Sequence, residues 1–303
     1  MGRLQSPQRE RAVLLGLVLT GCIQPNSDFP GLSNGQCPDV TQTIQSEFRS
    51  SGKKRKVQVV LPDAPQEGMG LIFGFHGLNP ASADPITKTT ADNDMARHAN
   101  ERNLMFLVPE ALPTSLALLG DFLLWGILGD EEEDLVLVDD LLICATNTWS
   151  IDEDAVAVWG HSGGALWTSL LTMARPDVFS SATEWSGGSD VTLGLPGLQG
   201  PWVNYIGAPN IPYFLSTAGD ADVWPDPSAA VLDFQASTSS LEDQLVADGI
   251  TTARCEHNLG HYIVPTSQWE FSLDWMTLNR RGEASPYADG TLPLPSECAL
   301  SGP

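Results

Sequence analysis

Positive charge is scarce in this sequence: its 303 residues include 15 Lys and Arg but 38 Asp and Glu. The formal net charge is −23, and it becomes −25 without residues 1–21, which carry a net +2. A surface this acidic repels nucleic acid and anionic lipid, so the composition excludes nucleic acid as a partner. The acidic residues are mostly spread along the chain and indicate little about a substrate.

Cysteine is also scarce, with five in the chain and none in a C-x-x-C pair. This spacing argues against a zinc site, and we expect neither a metal nor a cofactor. Cys22 belongs to the N-terminal motif described below. The other four cysteines are an even number, which favours two disulfides in an oxidising compartment. The four are Cys37, Cys144, Cys255 and Cys298, and the sequence leaves their three possible pairings open.

The N-terminus has the parts of an export signal, namely three arginines and then an apolar run from Ala12 to Leu19 that is too short to span a bilayer. The run ends in Leu19-Thr20-Gly21-Cys22, which resembles the lipobox of bacterial lipoproteins. The resemblance implies cleavage before Cys22, lipidation of its thiol and a place in the bacterial cell envelope, facing the periplasm or the exterior. An ordinary signal peptide is the alternative. We expect a signal peptide at 1–21, a flexible tether at 22–36 and one domain at 37–303.

Apolar runs alternate with helical patterns along this domain. The predicted strands are Val57–Leu61, Leu71–His76, Leu104–Val108, Ala155–Trp159, Ala182–Ser186, Tyr213–Thr217 and Thr251–Cys255. The predicted helices are Thr90–Arg102, Asp134–Thr146, Gly163–Ala174, Ala229–Ala247 and Gln268–Leu278. This alternation predicts an α/β fold with a mostly parallel central sheet and helices on both faces. Residues 112–135 interrupt the pattern and are predicted to form a lid or substrate-facing loop, and residues 282–303 a wrap-around tail.

The strongest local signal is Gly160-His161-Ser162-Gly163-Gly164, a G-x-S-x-G motif between an apolar strand and a helical pattern. A sharp turn there exposes the serine hydroxyl above the sheet, and it requires small neighbours. The motif therefore predicts Ser162 as a nucleophile. A purely structural glycine turn is the less favoured interpretation.

A serine needs a base, and the chain has five histidines. In chains with this serine turn, the catalytic residues follow one another in the order serine, acid, histidine. The base must therefore come late in the chain, which leaves His257 and His261. We favour His261 because Gly260 before it allows the loop to bend the ring toward the serine. Asp222 is the predicted orienting acid, since it follows the strand 213–217 and precedes an apolar Val-Trp pair, with Asp220 as the runner-up.

Acyl transfer also needs backbone donors for the oxyanion. One is the amide after the nucleophile, that of Gly163. The second is expected from the loop after an early strand, where Gly77 precedes Leu78, so the Leu78 amide is predicted. His76 is then structural, holding this loop.

With these motifs in view, the chain resembles the secreted esterases that include polyhydroxybutyrate depolymerases and feruloyl or acetylxylan esterases. The similarity covers roughly Lys56 to Trp275 and is most specific from the serine motif through Ser186-Gly187-Gly188. It implies the α/β-hydrolase fold and an extracellular carboxylic ester hydrolase that forms an acyl-enzyme on Ser162. The implied substrate is an ester of plant or polyester origin.

Three aromatic residues near the motifs, Trp125, Trp185 and Trp224, are predicted to line a substrate pocket, although core packing is the more common role of tryptophan. We expect a monomer that meets the membrane only through its lipid anchor. Two alternatives stay open: a serine peptidase or amidase on the same fold, and a non-catalytic surface-binding lipoprotein.

Overall fold

The computed structural model describes residues 32–34, 36–41, 44–115, 120–128, 131–192, 201–207, 209–225 and 231–302. They belong to one compact unit, residues 31–303. The predicted signal peptide, the lipidation site at Cys22 and most of the tether lie outside the described residues. Within the described residues, no helix is both long and apolar enough to cross a membrane.

A large twisted sheet is the frame of the domain, and its strands are numbered here in chain order. They are β1 (Ile44–Ser50), β2 (Lys53–Val60), β3 (Met69–Phe75), β4 (Leu104–Pro109), β5 (Ile151–His161), β6 (Ser181–Trp185), β7 (Tyr213–Thr217), β8 (Thr252–Glu256) and β9 (Cys298–Ser301). Across the sheet their order is β1-β2-β4-β3-β5-β6-β7-β8-β9.

The middle of this sheet is parallel, from β4 through β3, β5, β6 and β7 to β8. The pairs β1–β2, β2–β4 and β8–β9 are antiparallel. Because parallel strands end at one edge, the loops that follow β5, β6, β7 and β8 meet above that edge. The predicted serine, acid and histidine lie in three of these loops.

Six helices connect the strands in the described part of the chain. They are α1 (Pro85–Asp92), α2 (Met95–Arg102), α3 (Glu132–Thr148), α4 (Gly163–Ala174), α5 (Phe234–Ala247) and α6 (Thr266–Leu278).

Helices cover both faces of the sheet, because alternate strand residues point in opposite directions. On one face, Ile72 and Trp159 join an apolar cluster with Met95 of α2 and Trp275 of α6. On the other face, Phe75 packs edge-on against Trp167 of α4, with ring centroids 6.3 Å apart. The predicted α/β architecture is confirmed.

The structure differs from the prediction at several boundaries. The helix predicted over Thr90–Arg102 is two helices, α1 and α2, because Asp94 between them has a left-handed φ of 47°. The helix predicted from Ala229 begins at Phe234, after Asp233 accepts a capping hydrogen bond from the Ala236 amide. The antiparallel edge strands β1 and β9 were not predicted.

Two disulfides resolve the pairing that the sequence leaves open. Cys37 is bonded to Cys144 of α3, and Cys255 of β8 is bonded to Cys298 of β9. The second bond holds the C-terminal tail as an antiparallel edge strand. The wrap-around tail therefore extends the sheet.

The segment 112–135 forms a small antiparallel ribbon from Pro113–Ser115, Asp121–Leu123 and Asn79–Pro80. Residues 116–119 and 129–130 lie outside the described residues. Leu124 and Ile127 are buried. The described part of this segment thus packs onto the loop after β3.

Candidate active site

Ser162 sits at the sharp turn between β5 and α4, with φ 56° and ψ −121°. This left-handed conformation is costly for a serine, and surrounding contacts must hold it. A side chain at Gly160 would collide with the Gly164 carbonyl, and one at Gly164 with the Phe75 carbonyl. The two glycines are therefore required by close backbone approach, as the motif predicts.

His261 and Asp222 both reach this turn. The His261 Nε2 atom is 2.9 Å from Ser162 Oγ, and its Nδ1 atom is 2.7 Å from Asp222 Oδ1. The side chains of Asp222 and His261 are 0% and 2% exposed, respectively. A neutral imidazole that donates from Nδ1 to the carboxylate leaves its Nε2 lone pair free to accept the serine proton.

The Asp222 carboxylate is held by three hydrogen bonds. Besides His261, Ser186 Oγ donates to Oδ2 over 2.8 Å and the Ala218 amide donates to the same oxygen over 2.9 Å. Burial opposes ionisation, but the hydrogen bond from His261 and that from the Ala218 amide outweigh it, so the pKa of Asp222 is lowered. Asp220, the runner-up acid, is exposed in the 3₁₀ turn Gly219–Ala221.

The other candidate base, His257, has a different hydrogen-bond partner. Its Nδ1 atom accepts a hydrogen bond from the Leu259 amide. The structure therefore brings together the favoured members of each pair, His261 and Asp222.

His76 holds the loop after β3, as expected. Its Nδ1 atom donates to the Gly77 carbonyl over 2.6 Å, and its Nε2 atom accepts from the Ala111 amide over 3.1 Å. Burial lowers the pKa of His76 to about 4, so the ring is neutral near pH 7.

The two predicted oxyanion donors lie side by side. A Cβ placed on Gly163 would be 3.3 Å from the Leu78 amide nitrogen. A Cβ placed on Gly77 would be 3.1 Å from the Cβ atom of Ser162. The loop after β3 therefore passes directly against the serine turn, and a carbonyl oxygen placed there is near both backbone segments.

A cleft of about 460 Å³ opens over Ser162 and His261. Its lining includes Leu78 from the loop after β3, Lys88 from α1 and Ile263 from the loop after β8. None of the described residues of segment 112–135 lines this cleft. The predicted lid is therefore not observed in the described part of that segment.

The three tryptophans predicted to contact substrate separate into two groups. Trp224 lines the cleft. Trp125 and Trp185 are each only 1% exposed, so the prediction that they line the pocket is wrong. Trp125 stacks on Trp167 and donates to the His76 carbonyl, and Trp185 packs against Phe214. Large apolar area makes burial the favoured state of these rings.

Sequence reasoning missed two side chains that support the site. Ser186 binds Asp222, and its only signal is its place before two glycines at the end of a strand. His161 donates from Nε2 to the backbone oxygen of His261 over 2.8 Å. Burial lowers its pKa to about 4, which keeps the ring neutral. Nothing in the sequence pairs His161 with a residue 100 positions away.

The described residues were also compared with the requirements of a metal site. Within the described ranges, no group of three or more His, Cys, Asp or Glu side chains is placed to hold a metal ion.

Comparison with known proteins gives a weak sequence match. No protein-family profile matches the chain. An acetylxylan esterase from Coprinopsis cinerea is 21% identical over 159 residues, which cover 50% of this chain and 40% of that protein. The chain thus matches less than half of that relative's length.

Solved structures match over most of the chain. The native structure of sOPH has a TM-score of 0.68 at 17% identity, covering 88% of this chain and 97% of that one. A CE1 ferulic acid esterase from Anaeromyces mucronatus, in complex with ferulic acid, has a TM-score of 0.56 at 13% identity, covering 84% and 93%. At these identities the likeness concerns the fold. The fold of this chain is that of the α/β-hydrolases.

Proposed function

We propose that this protein is a carboxylic ester hydrolase with Ser162 as nucleophile, His261 as base and Asp222 as orienting acid. One observation carries the proposal: Ser162 is hydrogen-bonded to His261 and His261 to Asp222, and Ser162 and His261 line an open cleft. The similar acetylxylan esterase and ferulic acid esterase support an ester as the substrate class.

The reaction proceeds in two steps. His261 Nε2 takes the Ser162 proton as Oγ attacks the ester carbonyl carbon, and the amides of Leu78 and Gly163 bind the resulting oxyanion. His261 then gives the proton to the alcohol oxygen, the C–O bond breaks, and an acyl-enzyme remains. Water then attacks the acyl carbon while His261 takes its proton, the bond from that carbon to Ser162 Oγ breaks, and His261 returns the proton to Oγ as the acid leaves.

The surroundings favour the charges that form during this cycle. Asp222 stays ionised because its lowered pKa lies far below neutral, and it stabilises the imidazolium of His261. Ser162 precedes the first residue of α4, so the positive end of that helix faces the developing oxyanion.

For the termini we propose the arrangement indicated by the sequence: signal peptide 1–21, lipidated Cys22, tether 22–36 and a monomeric, extracellular domain 37–303. The motif Leu19-Thr20-Gly21-Cys22 supports it. The full chain should be expressed in a bacterium and the cell lysate separated into detergent and aqueous phases. We expect the wild type in the detergent phase and the Cys22→Ser variant in the aqueous phase. An aqueous wild type would contradict the anchor.

Hydrolysis of p-nitrophenyl acetate tests the catalytic proposal. We expect the wild type to hydrolyse this ester and kcat to fall about 10⁴-fold or more in Ser162→Ala and His261→Ala. The His257→Ala variant should keep the activity of the wild type. A fluorophosphonate probe should label the wild type and not Ser162→Ala. His257→Ala is the matched control because it removes the other histidine of the same loop.

Two results would contradict this assignment. Loss of activity in His257→Ala with retention in His261→Ala would reassign the base. Failure of the folded wild type to hydrolyse any ester, with cleavage of amide substrates, would favour a peptidase or amidase.

A further inference from the structure

Exposed apolar side chains are concentrated beside the catalytic histidine. Among the described residues, five large hydrophobic side chains are exposed: Ile206, Leu259, Tyr262, Ile263 and Leu278. Three of them belong to residues 257–264, called here the base loop. Exposed apolar clusters of this kind commonly mark a binding surface.

Two of the three also line the cleft. Tyr262 and Ile263 are 66% and 47% exposed and face the cleft together with Val264. The Tyr262 ring lies edge-on to the His261 ring, with centroids 5.1 Å apart. Leu259, which is 60% exposed, does not line it. The base loop therefore presents an apolar wall that starts at the base.

Another part of the lining has a different chemistry. Helix α1 contributes Lys88, Thr89 and Asp92 to the same cleft, and Lys88 and Asp92 form an ion pair there. A ligand that fills the cleft thus meets apolar surface from the base loop and polar surface from α1. An apolar group therefore gains more by contacting the base loop than by contacting the polar residues of α1.

The proton route identifies which part of an ester lies there. The base must deliver its proton to the alcohol oxygen, so that oxygen comes within hydrogen-bond reach of His261 Nε2. Tyr262 and Ile263 directly follow the base in the chain and line the same cleft, so they are the candidates to contact the substituent on this oxygen. The acyl chain leaves the carbonyl carbon in another direction.

We propose that Tyr262 and Ile263 bind the alcohol part of the substrate and select esters of apolar aliphatic alcohols over methyl esters. This inference rests on the proposed ester hydrolase function. It adds a specificity that the triad itself does not contain, because the triad contacts only the reacting atoms.

Straight-chain alkyl acetates test this inference. Methyl, butyl and hexyl acetate share one acetyl-enzyme and have leaving groups of similar basicity, so kcat/KM isolates the contact made by the alcohol chain. Full burial of a methylene favours binding roughly fourfold. On this half-exposed wall we expect roughly a twofold rise in kcat/KM per methylene.

Matched variants locate the effect. Ile263→Ser and Tyr262→Ser should each reduce the hexyl-to-methyl ratio of kcat/KM by roughly fivefold or more. Leu259→Ser removes another exposed apolar side chain from the same loop but outside the cleft, and it should leave the hexyl-to-methyl ratio unchanged. Thermal unfolding of each variant checks that the domain stays folded.

The acyl series on a constant alcohol gives the opposing test. Ile263→Ser could instead alter the preference among p-nitrophenyl acetate, butyrate and hexanoate and leave the hexyl-to-methyl ratio of the alkyl acetates unchanged. The wall would then bind the acyl chain, and the proposal would be overturned. An equal effect of Leu259→Ser would also overturn it. Failure of the wild type to label with fluorophosphonate or to hydrolyse any ester would instead refute the proposed function.

Discussion

Glu184 is a buried acid whose ionisation we expect to lower the stability of the protein as pH rises. It lies on β6 and is 0% exposed. The Gly188 amide donates to its Oε2 over 2.9 Å, and Ser169 Oγ lies 2.6 Å from its Oε1. Burial raises the pKa of Glu184 from 4.5 to about 8.

The hydrogen bonds around Glu184 accommodate the neutral acid. The single Ser169 hydroxyl hydrogen is within reach of both Glu184 and the Gly188 carbonyl, which is 3.0 Å away. A protonated Glu184 can donate to Ser169, which then donates to Gly188, so each polar group has a partner. Tyr213 on β7 is the neighbouring titratable group, and its pKa is raised well above 10 by burial, so it adds no charge.

The pH dependence follows from the direction of this shift. Because the folded protein holds the proton more tightly than the unfolded chain, the stabilisation is complete below pH 4.5 and is lost as pH rises through about 8. At about 1.36 kcal/mol for each pKa unit, the whole change is roughly 5 kcal/mol. Glu184→Gln mimics the neutral acid, so the variant should keep at high pH the stability that the wild type loses.

Urea unfolding at pH 5 and pH 9, followed by tryptophan fluorescence, measures this difference. We expect Glu184→Gln and the wild type to agree within about 1 kcal/mol at pH 5, and the variant to be more stable by roughly 3–5 kcal/mol at pH 9. The exposed Glu67→Gln is the control and should follow the wild type. Parallel pH dependence of Glu184→Gln and the wild type would refute the reasoning.

Three further predictions follow from the site and its supports. Asp222→Asn should lower kcat by about 10⁴-fold with little change in stability, because the amide favours the wrong tautomer of His261; an active variant in an ester assay would contradict this. Ser186→Ala removes one of the hydrogen bonds that hold the Asp222 carboxylate against His261, so kcat/KM should fall about tenfold. An unchanged kcat/KM would show that Ser186 contributes nothing. Replacing both Cys255 and Cys298 by serine opens a loop with a sequence separation of 43 and should cost about 4 kcal/mol in urea unfolding, with esterase activity retained at 25 °C.

The catalytic candidates could be found in the sequence because their constraints are local. The apolar strand, the glycines around Ser162 and the helical pattern after it form one continuous motif that requires a sharp turn. The order of elements then leaves few places for an acid and a base. In the structure His261 contacts Ser162 and Asp222 contacts His261, which is the arrangement that this order of elements predicts.

The roles of the tryptophans could not be read from sequence position. Trp125, which follows the strand Asp121–Leu123, and Trp185, the last residue of β6, are both packed into the core, while Trp224 lines the cleft. The same limit applies to the disulfides, since four cysteines with no distinctive spacing permit every pairing until the sheet brings Cys255 beside Cys298.

The alternation of strands and helices, the strained turn at Ser162 and the acidic surface can be predicted from the sequence, because they depend on residue type and short-range spacing. Three features are visible only in the folded chain: Ser186 supports Asp222, His161 holds the backbone of His261, and the base loop forms an apolar wall. Those contacts join residues far apart in the chain, and they exist because parallel strands end at one edge of the sheet and bring their following loops together.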